Sequence, residues 1–318
     1  MRIVPLEEIQ RTVTFDAAID AVRDAFIAFD AGHITQPDPM QILFERDDGS
    51  FFGDCHVKAA QRADGPYFAV KLAAGFYDNP RQGLPANSGL LLVMSSTTGR
   101  PVALLQDDGW LTQLRTAAAA TLAAMLAPLD ATSRVGVIGT GIQSRLNARM
   151  LCAQLGVDEV LVHGRSEAGT SAFSDALAEH AVRSEPVADV ETLCDRCDVV
   201  ITATPSTTPV IRLEDLTGSL HIVALGCDSP GKLEIDPAVL AAADLVVTDS
   251  HDQCLHHGDF GAAVRAGAIA EDADLGLGAV LAGHHQAADF AAASLSVVDL
   301  TGLGAQDLAV ASLVVDAM

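Results

Sequence analysis

The sequence predicts an α/β protein in which a doubly wound parallel sheet is joined to a smaller α+β domain. Three observations predict it. After Pro128, short apolar runs alternate with helical segments; a glycine-rich turn follows the first of those runs; and the stretch up to Gln106 reads instead as strands joined by tight turns. With 318 residues, 49% of them hydrophobic, the chain is long enough to build two cores.

The first element is an amphipathic helix over residues 14–29, because Ala18, Val22, Ala25, Phe26 and Phe29 recur at helical spacing and Gly32 follows as a stop. Between Phe68 and Gln106 the expected strands are 67–73, 89–95 and 102–105, the last two joined by a Thr98-Gly99-Arg100 turn. Residues 111–126, alanine-rich and free of Gly and Pro, predict one helix leading into the next domain. The parallel sheet is then expected from 135–138, 160–162, 199–203, 222–225 and 245–247. Residues 295–300 and a helix over 306–317 follow; they are expected to return to the first domain after the sheet is complete.

In Val135-Gly-Val-Ile-Gly139-Thr140-Gly141-Ile142-Gln143-Ser144 a buried strand runs into a Gly-x-Gly-x-x-Ser turn and a helix. Gly139 permits the tight turn, Gly141 lets backbone N–H groups approach a pyrophosphate, and Ser144 keeps helix and strand close. This is the signature of a Rossmann-type dinucleotide site. The second strand ends in His163-Gly164-Arg165-Ser166, where selection of NAD(H) would call for an acidic residue; Arg165 and Ser166 suit a 2′-phosphate. NADP(H) is therefore the expected cofactor, with NAD(H) the alternative.

The formal charge of −23 excludes nucleic acid and anionic membranes as partners, since both require a basic surface. Apolar runs such as 90–94 and 199–203 fall far short of the roughly 20 residues of a membrane span, and no basic-then-apolar leader opens the chain. A cytoplasmic protein is expected, its six cysteines free thiols. Only three of the 19 basic residues are lysines: Lys58, Lys71 and Lys232. In a chain so biased to arginine, the remaining lysines are candidates for work that needs a releasable proton.

Several ordered motifs together resemble the ornithine cyclodeaminase/mu-crystallin family: Val70-Lys71-Leu-Ala-Ala-Gly-Phe-Tyr77, Leu111-Thr112-Gln-Leu-Arg115-Thr, Gly139-Thr-Gly-Ile-Gln-Ser, Gly226-Cys-Asp228-Ser-Pro-Gly-Lys232-Leu-Glu234 and Gly304-Ala-Gln-Asp307. The resemblance implies a homodimer. It divides the chain into a substrate-binding and dimerisation domain, residues 1–118 plus 295–318, and an inserted dinucleotide domain, 119–294. It makes Lys71 the lysine beside the substrate's α-nitrogen, Arg115 the clamp on its α-carboxylate, and Asp228 an acid/base near the nicotinamide. Thr112, Gly139, Thr140, Gly141, Ile142, Gln143, His163, Arg165, Ser166, Thr204, Pro205 and Gly226 are the expected cofactor contacts.

The implied chemistry is hydride transfer at the α-carbon of a small imino or amino acid. Lys58 falls where a cyclodeaminase of this family carries a glutamate for the substrate's terminal amine, and a cation there repels a diamino acid. Gln41 or Arg46 is expected at the second carboxylate-binding position. Reduction of a cyclic ketimine such as 1-pyrroline-2-carboxylate is accordingly the expected reaction. An ammonia-releasing cyclodeaminase with bound NAD is the alternative, and a non-catalytic NADP(H)-binding protein a second. No metal is expected: Cys194-x-x-Cys197 lacks a second pair, and the adjacent His256-His257 and His284-His285 point different ways on a helix.

Overall fold

The computed structural model describes residues 1–76, 78–285 and 287–318, so Tyr77 of the Lys71 motif lies outside the described residues. The chain divides into two units, Met1–Arg115 with Leu303–Met318, and Thr116–Gly302.

The first unit contains β1 (Arg2–Pro5), α1 (Leu6–Thr12), α2 (Phe15–Asp30), β2 (Ile34–Thr35), β3 (Met40–Glu45), β4 (Phe51–Arg62), β5 (Tyr67–Phe76), β6 (Asn87–Ser95), β7 (Pro101–Gln106) and the start of α3 (Trp110–Ala124). Thr14 caps α2, its hydroxyl accepting from the Ala17 N–H, and the helix buries Ala18, Val22, Ala25 and Phe26 as its spacing predicts, with Ile19 and Ala28 beside them, whereas Phe29 is only half-buried. Among the described residues the strands form one sheet in the order β1-β7-β6-β5-β4-β2, with β3 also paired to β4. All its pairs are antiparallel except β1 with β7. The chain's last helix, given below as α12, covers β4 and β5.

The second unit continues with β8 (Val135–Ile138), α4 (Ile142–Leu155), β9 (Glu159–His163), α5 (Glu167–Ala178), β10 (Arg183–Pro186), α6 (Val190–Arg196), β11 (Val199–Thr202) and β12 (Leu220–Ala224). Then follow α7 (Pro237–Ala242), β13 (Leu245–Thr248), α8 (His251–His257), α9 (Asp259–Arg265), β14 (Asp274–Gly276), α10 (Leu277–Leu281), α11 (Ala287–Ala292) and β15 (Leu295–Asp299). Among the described residues, eight parallel strands line up as β10-β9-β8-β11-β12-β15-β13-β14. Helix α12 (Gly304–Asp316) belongs to the first unit.

Residues 295–300 depart from expectation. β15 does not return to the first unit but lies between β12 and β13 of the parallel sheet. The run Leu-Ser-Val-Val-Asp is buried throughout, as a central strand walled by neighbours on both sides must be. The chain therefore crosses back only after Gly302, and the second unit starts at Thr116. Cys194 and Cys197 sit in the apolar core beneath this sheet, where a side chain at Gly136 would come within 2.8 Å of the Cys197 sulfur. Burial pushes both thiols up to about 12, which suppresses thiolate chemistry.

Candidate active site

In the second unit the sheet reverses its winding between β8 and β11, and ligands of such sheets bind at that switch point. A cleft of about 480 Å³ opens there, lined by Gly139, Thr140, Gly141, His163, Arg165, Ser166, Thr204 and Pro205 among others. These predicted residues are thus brought together. Gly139 has φ +113°, and a side chain there would come within 2.7 Å of the Ala203 carbonyl oxygen. Only glycine fits.

Gly141 is different, for a Cβ there would meet nothing within 4 Å. It caps α4 without a side-chain hydrogen bond and lines the cleft, so no cap side chain occupies the first-turn N–H groups of this 14-residue helix. That arrangement fits a pyrophosphate. Arg165 is exposed at the cleft, and Ser166 caps α5 by accepting from the Gly169 N–H (3.2 Å). His163 donates from Nδ1 to the Val187 carbonyl (3.2 Å), which orients its ring. Ile142 is exposed in the first turn of α4, and Gln143 donates to Asn147 Oδ1 (3.1 Å). Thr112 lies in the first turn of α3, and Gly226 beyond β12 donates its N–H to Glu234. None of these last four lines the cleft.

The first unit holds a separate charged cluster. Lys71 on β5 is 2% exposed, donates to Asp307 Oδ1 of α12 (3.1 Å) and forms an ion pair with that carboxylate, Oδ2 lying 3.0 Å away. Arg115 on α3 donates from Nε to the same Oδ1 (3.1 Å) and from Nη1 to Gln306 Oε1 (2.8 Å). Lys58 on β4 is also buried and stands directly opposite Lys71 in the β4–β5 register, placing the two Cβ atoms roughly 5 Å apart. Gly304 lets α12 begin hard against β4, since a side chain there would reach 2.6 Å from the Ala59 carbonyl oxygen. That approach carries Asp307 to the lysine.

Desolvation lowers the Lys71 pKa to about 7; Asp307 opposes this, while the Arg115 and Lys58 charges add to it. Burial pulls Asp307 upward, but the cations around it outweigh burial and hold its carboxyl below the usual range. Asp107 is buried beside the cluster, caps α3 by accepting from the Leu111 N–H (2.9 Å), and is pushed up by burial. The geometry offers a carboxylate-binding arginine fixed by two partners and a lysine able to exchange a proton near neutrality.

Three predicted residues stand outside that cluster. Arg46, near the β3–β4 turn, pairs with Asp78 and lies over the Phe52 ring at 5.2 Å, and Gln41 hydrogen-bonds His56 (3.4 Å). Asp228 lies on the loop after β12, half-exposed, accepting from Lys232 Nζ (2.5 Å) and from the Ser229 hydroxyl (3.3 Å). Asp307, Gln306 and Asp107 were not singled out from sequence. Asp307 carried a signal nonetheless, an acid among Ala, Leu and Val in the buried first turns of α12.

A parallel sheet with a dinucleotide turn in one unit, and a buried lysine–arginine–aspartate cluster in the other, define an NAD-type α/β oxidoreductase fold. The chain belongs to the ornithine cyclodeaminase/mu-crystallin family, whose description it matches over residues 2–318. It is 34% identical over 315 residues to an uncharacterized cyclodeaminase of Sinorhizobium fredii, covering 98% of this chain and 94% of that one. Among solved structures, an archaeal alanine dehydrogenase dimer with bound NAD is 30% identical with a TM-score of 0.87, covering 99% of this chain and 95% of that one. The iminosuccinate reductase of Paracoccus denitrificans in complex with NAD+ is 29% identical with a TM-score of 0.88, at the same coverage. The family comprises NAD(P)-dependent oxidoreductases and cyclodeaminases.

Proposed function

We propose that this protein reduces the C=N bond of a small α-imino acid, a cyclic ketimine such as 1-pyrroline-2-carboxylate, to the corresponding amino acid. The buried Lys71–Arg115–Asp307 cluster carries the reading. Arg115, held by Asp307 and Gln306, presents its remaining guanidinium N–H groups to the substrate α-carboxylate. Lys71 delivers a proton at the imine nitrogen, a task its pKa of about 7 suits. Asp228 acts as the second acid/base group, and Lys232 fixes its carboxylate. A bound dihydronicotinamide supplies the hydride that the α-carbon receives.

NADP(H) is the preferred cofactor in this reading, because exposed Arg165 lines the cleft next to Ser166. Lys58 favours it over a cyclodeaminase, since a buried cation opposite Lys71 repels a substrate that carries a second ammonium group. The protein acts as a homodimer through the uncovered sheet face of the first unit. There Met40, Val57, Leu72 and Leu90 stand in one row across β3, β4, β5 and β6. Met40 is 55% and Leu72 39% exposed, on the side away from Lys71 and α12.

The test is turnover by the purified protein. NADPH with 1-pyrroline-2-carboxylate should lose absorbance faster than NADH does, while ornithine with NAD+ releases no ammonia. Ammonia and proline formed from ornithine without net NADH would overturn the reading in favour of the cyclodeaminase.

A further inference from the structure

Glu234 lies on the loop before α7 and is fully buried. Three donors converge on its carboxylate: the Thr202 hydroxyl on Oε2 (2.7 Å), the Gly226 N–H on Oε2 (2.6 Å) and the Thr204 N–H on Oε1 (2.6 Å). Thr204 follows β11 and lines the dinucleotide cleft, whereas Gly226 follows β12 and leads into the loop of Asp228. One carboxylate thus ties together the crests of two adjacent parallel strands. There is no slack, because a Cβ at Gly226 would fall 2.2 Å from the Thr204 carbonyl oxygen and 2.4 Å from Glu234 Cδ.

We propose that Glu234 is the positioning residue of the cofactor cleft: its ionised carboxylate holds the Thr204 and Gly226 backbones in the geometry that accepts a nicotinamide dinucleotide. The inference rests on the cofactor reading above and deepens it. Charge-assisted bonds to backbone N–H groups are strong when buried, and both oxygens are fully engaged only while the group is ionised. Protonation removes the charge that strengthens the two backbone N–H bonds, and a proton on Oε2 turns the Thr202 hydroxyl from donor to acceptor, so the clasp on Thr204 and Gly226 loosens.

The buried acids packed around this loop raise the affinity of Glu234 for that proton. Asp259 at the start of α9 accepts the Glu234 N–H (2.8 Å) and the Ile235 N–H (3.0 Å) on Oδ1. Asp299 at the end of β15 accepts the Phe260 N–H (2.9 Å), Asp249 accepts the N–H groups of Thr301 (3.0 Å) and Gly302 (2.7 Å), and the Cys227 thiol is buried beside Asp259. Burial and the Asp259 charge raise the Glu234 pKa to about 7 against the pull of its donors. Burial and the Asp259 charge likewise raise Asp299 well above the carboxylate range. Cofactor affinity should consequently fall as pH drops through about 7.

The experiment is titration of the full-length protein with NADP+ and NAD+ by calorimetry across neutral pH, for wild type, Glu234→Gln and Thr202→Val. Glu234→Gln should bind at least tenfold more weakly above neutral pH, about 1.4 kcal/mol, with its pH dependence flattened. Thr202→Val removes one donor to the ionised form but keeps the carboxylate, so its midpoint should move to higher pH. A purely structural role would lower melting temperatures without moving that midpoint. Glu234→Gln affinity within twofold of wild type, or an unmoved Thr202→Val midpoint, would overturn the proposal; the second arm serves alone if Glu234→Gln does not fold. Wild-type protein that binds neither nucleotide would remove the cofactor reading itself, and this inference with it.

Discussion

Lys71 is the residue on which the chemistry turns. A lysine in water holds its proton to above pH 10 and is a poor donor to an imine at neutrality. Inside the first unit it is desolvated and flanked by Arg115 and Lys58, and its pKa falls to about 7 despite Asp307. Proton donation requires the charged form, whose fraction declines as pH rises through that value. The kcat/KM for imine reduction should therefore fall about tenfold per pH unit above roughly 8, and Lys71→Met should lose on the order of 10²-fold or more. Steady-state rates from pH 6 to about 10 check this; a profile flat across that range would remove Lys71 as the donor. Sequence composition had pointed to this residue through the scarcity of lysine, but its burial and its pairing are facts of the fold.

Helix α12 shows how one element serves a site far from it in sequence. Gly304 lets its N-terminus sit against Ala59, and from there Asp307 reaches Lys71 and Arg115. Replacing Asp307 by Asn leaves three buried cations without that carboxylate. The loss should destabilise the protein by about 3 kcal/mol in urea melts and move the Lys71 limb of the rate profile to lower pH, because the anion that raised the lysine's proton affinity is gone. An unchanged limb would mean that Asp307 does not act on Lys71. The pairing was unreadable from sequence, since 235 intervening residues carry no local signal of a contact made through tertiary packing; the motif containing Asp307 stood out only as an ordered resemblance. β4 escaped for a related reason. Asp54, His56 and Lys58 interrupt its apolar alternation, and the inward-facing lysine that breaks the pattern is part of the charged cluster.

At the scale of the whole molecule, the parallel sheet was legible because β8, β9, β11, β12 and β13 are short, continuous apolar runs, the form that burial on both faces imposes. Their spatial order was less so. β15 is last in the chain yet central in the sheet, and nothing local distinguishes a strand that fills an interior slot from one that starts a new layer. The cleft was legible through its glycines, whose need for positive φ or open space is local. The apolar row Met40–Val57–Leu72–Leu90 required strand register and could not be seen before it. If that face joins two copies, light scattering should give twice the chain mass for wild type and the single mass for Leu72→Asp, whose charge would otherwise be buried. A wild-type monomer would contradict the homodimer, and a Leu72→Asp dimer of unchanged affinity would place its interface elsewhere.

The central claim is that hydride reaches the α-carbon of an imino acid, and isotope transfer tests it most directly. The protein is incubated with 1-pyrroline-2-carboxylate and NADPH deuterated at the reactive C4 position, and the amino-acid product is analysed by mass spectrometry and proton NMR. The account predicts a single deuterium on the product α-carbon and oxidised, unlabelled nucleotide. Product without deuterium, or nucleotide that keeps its label while substrate is consumed, would contradict it.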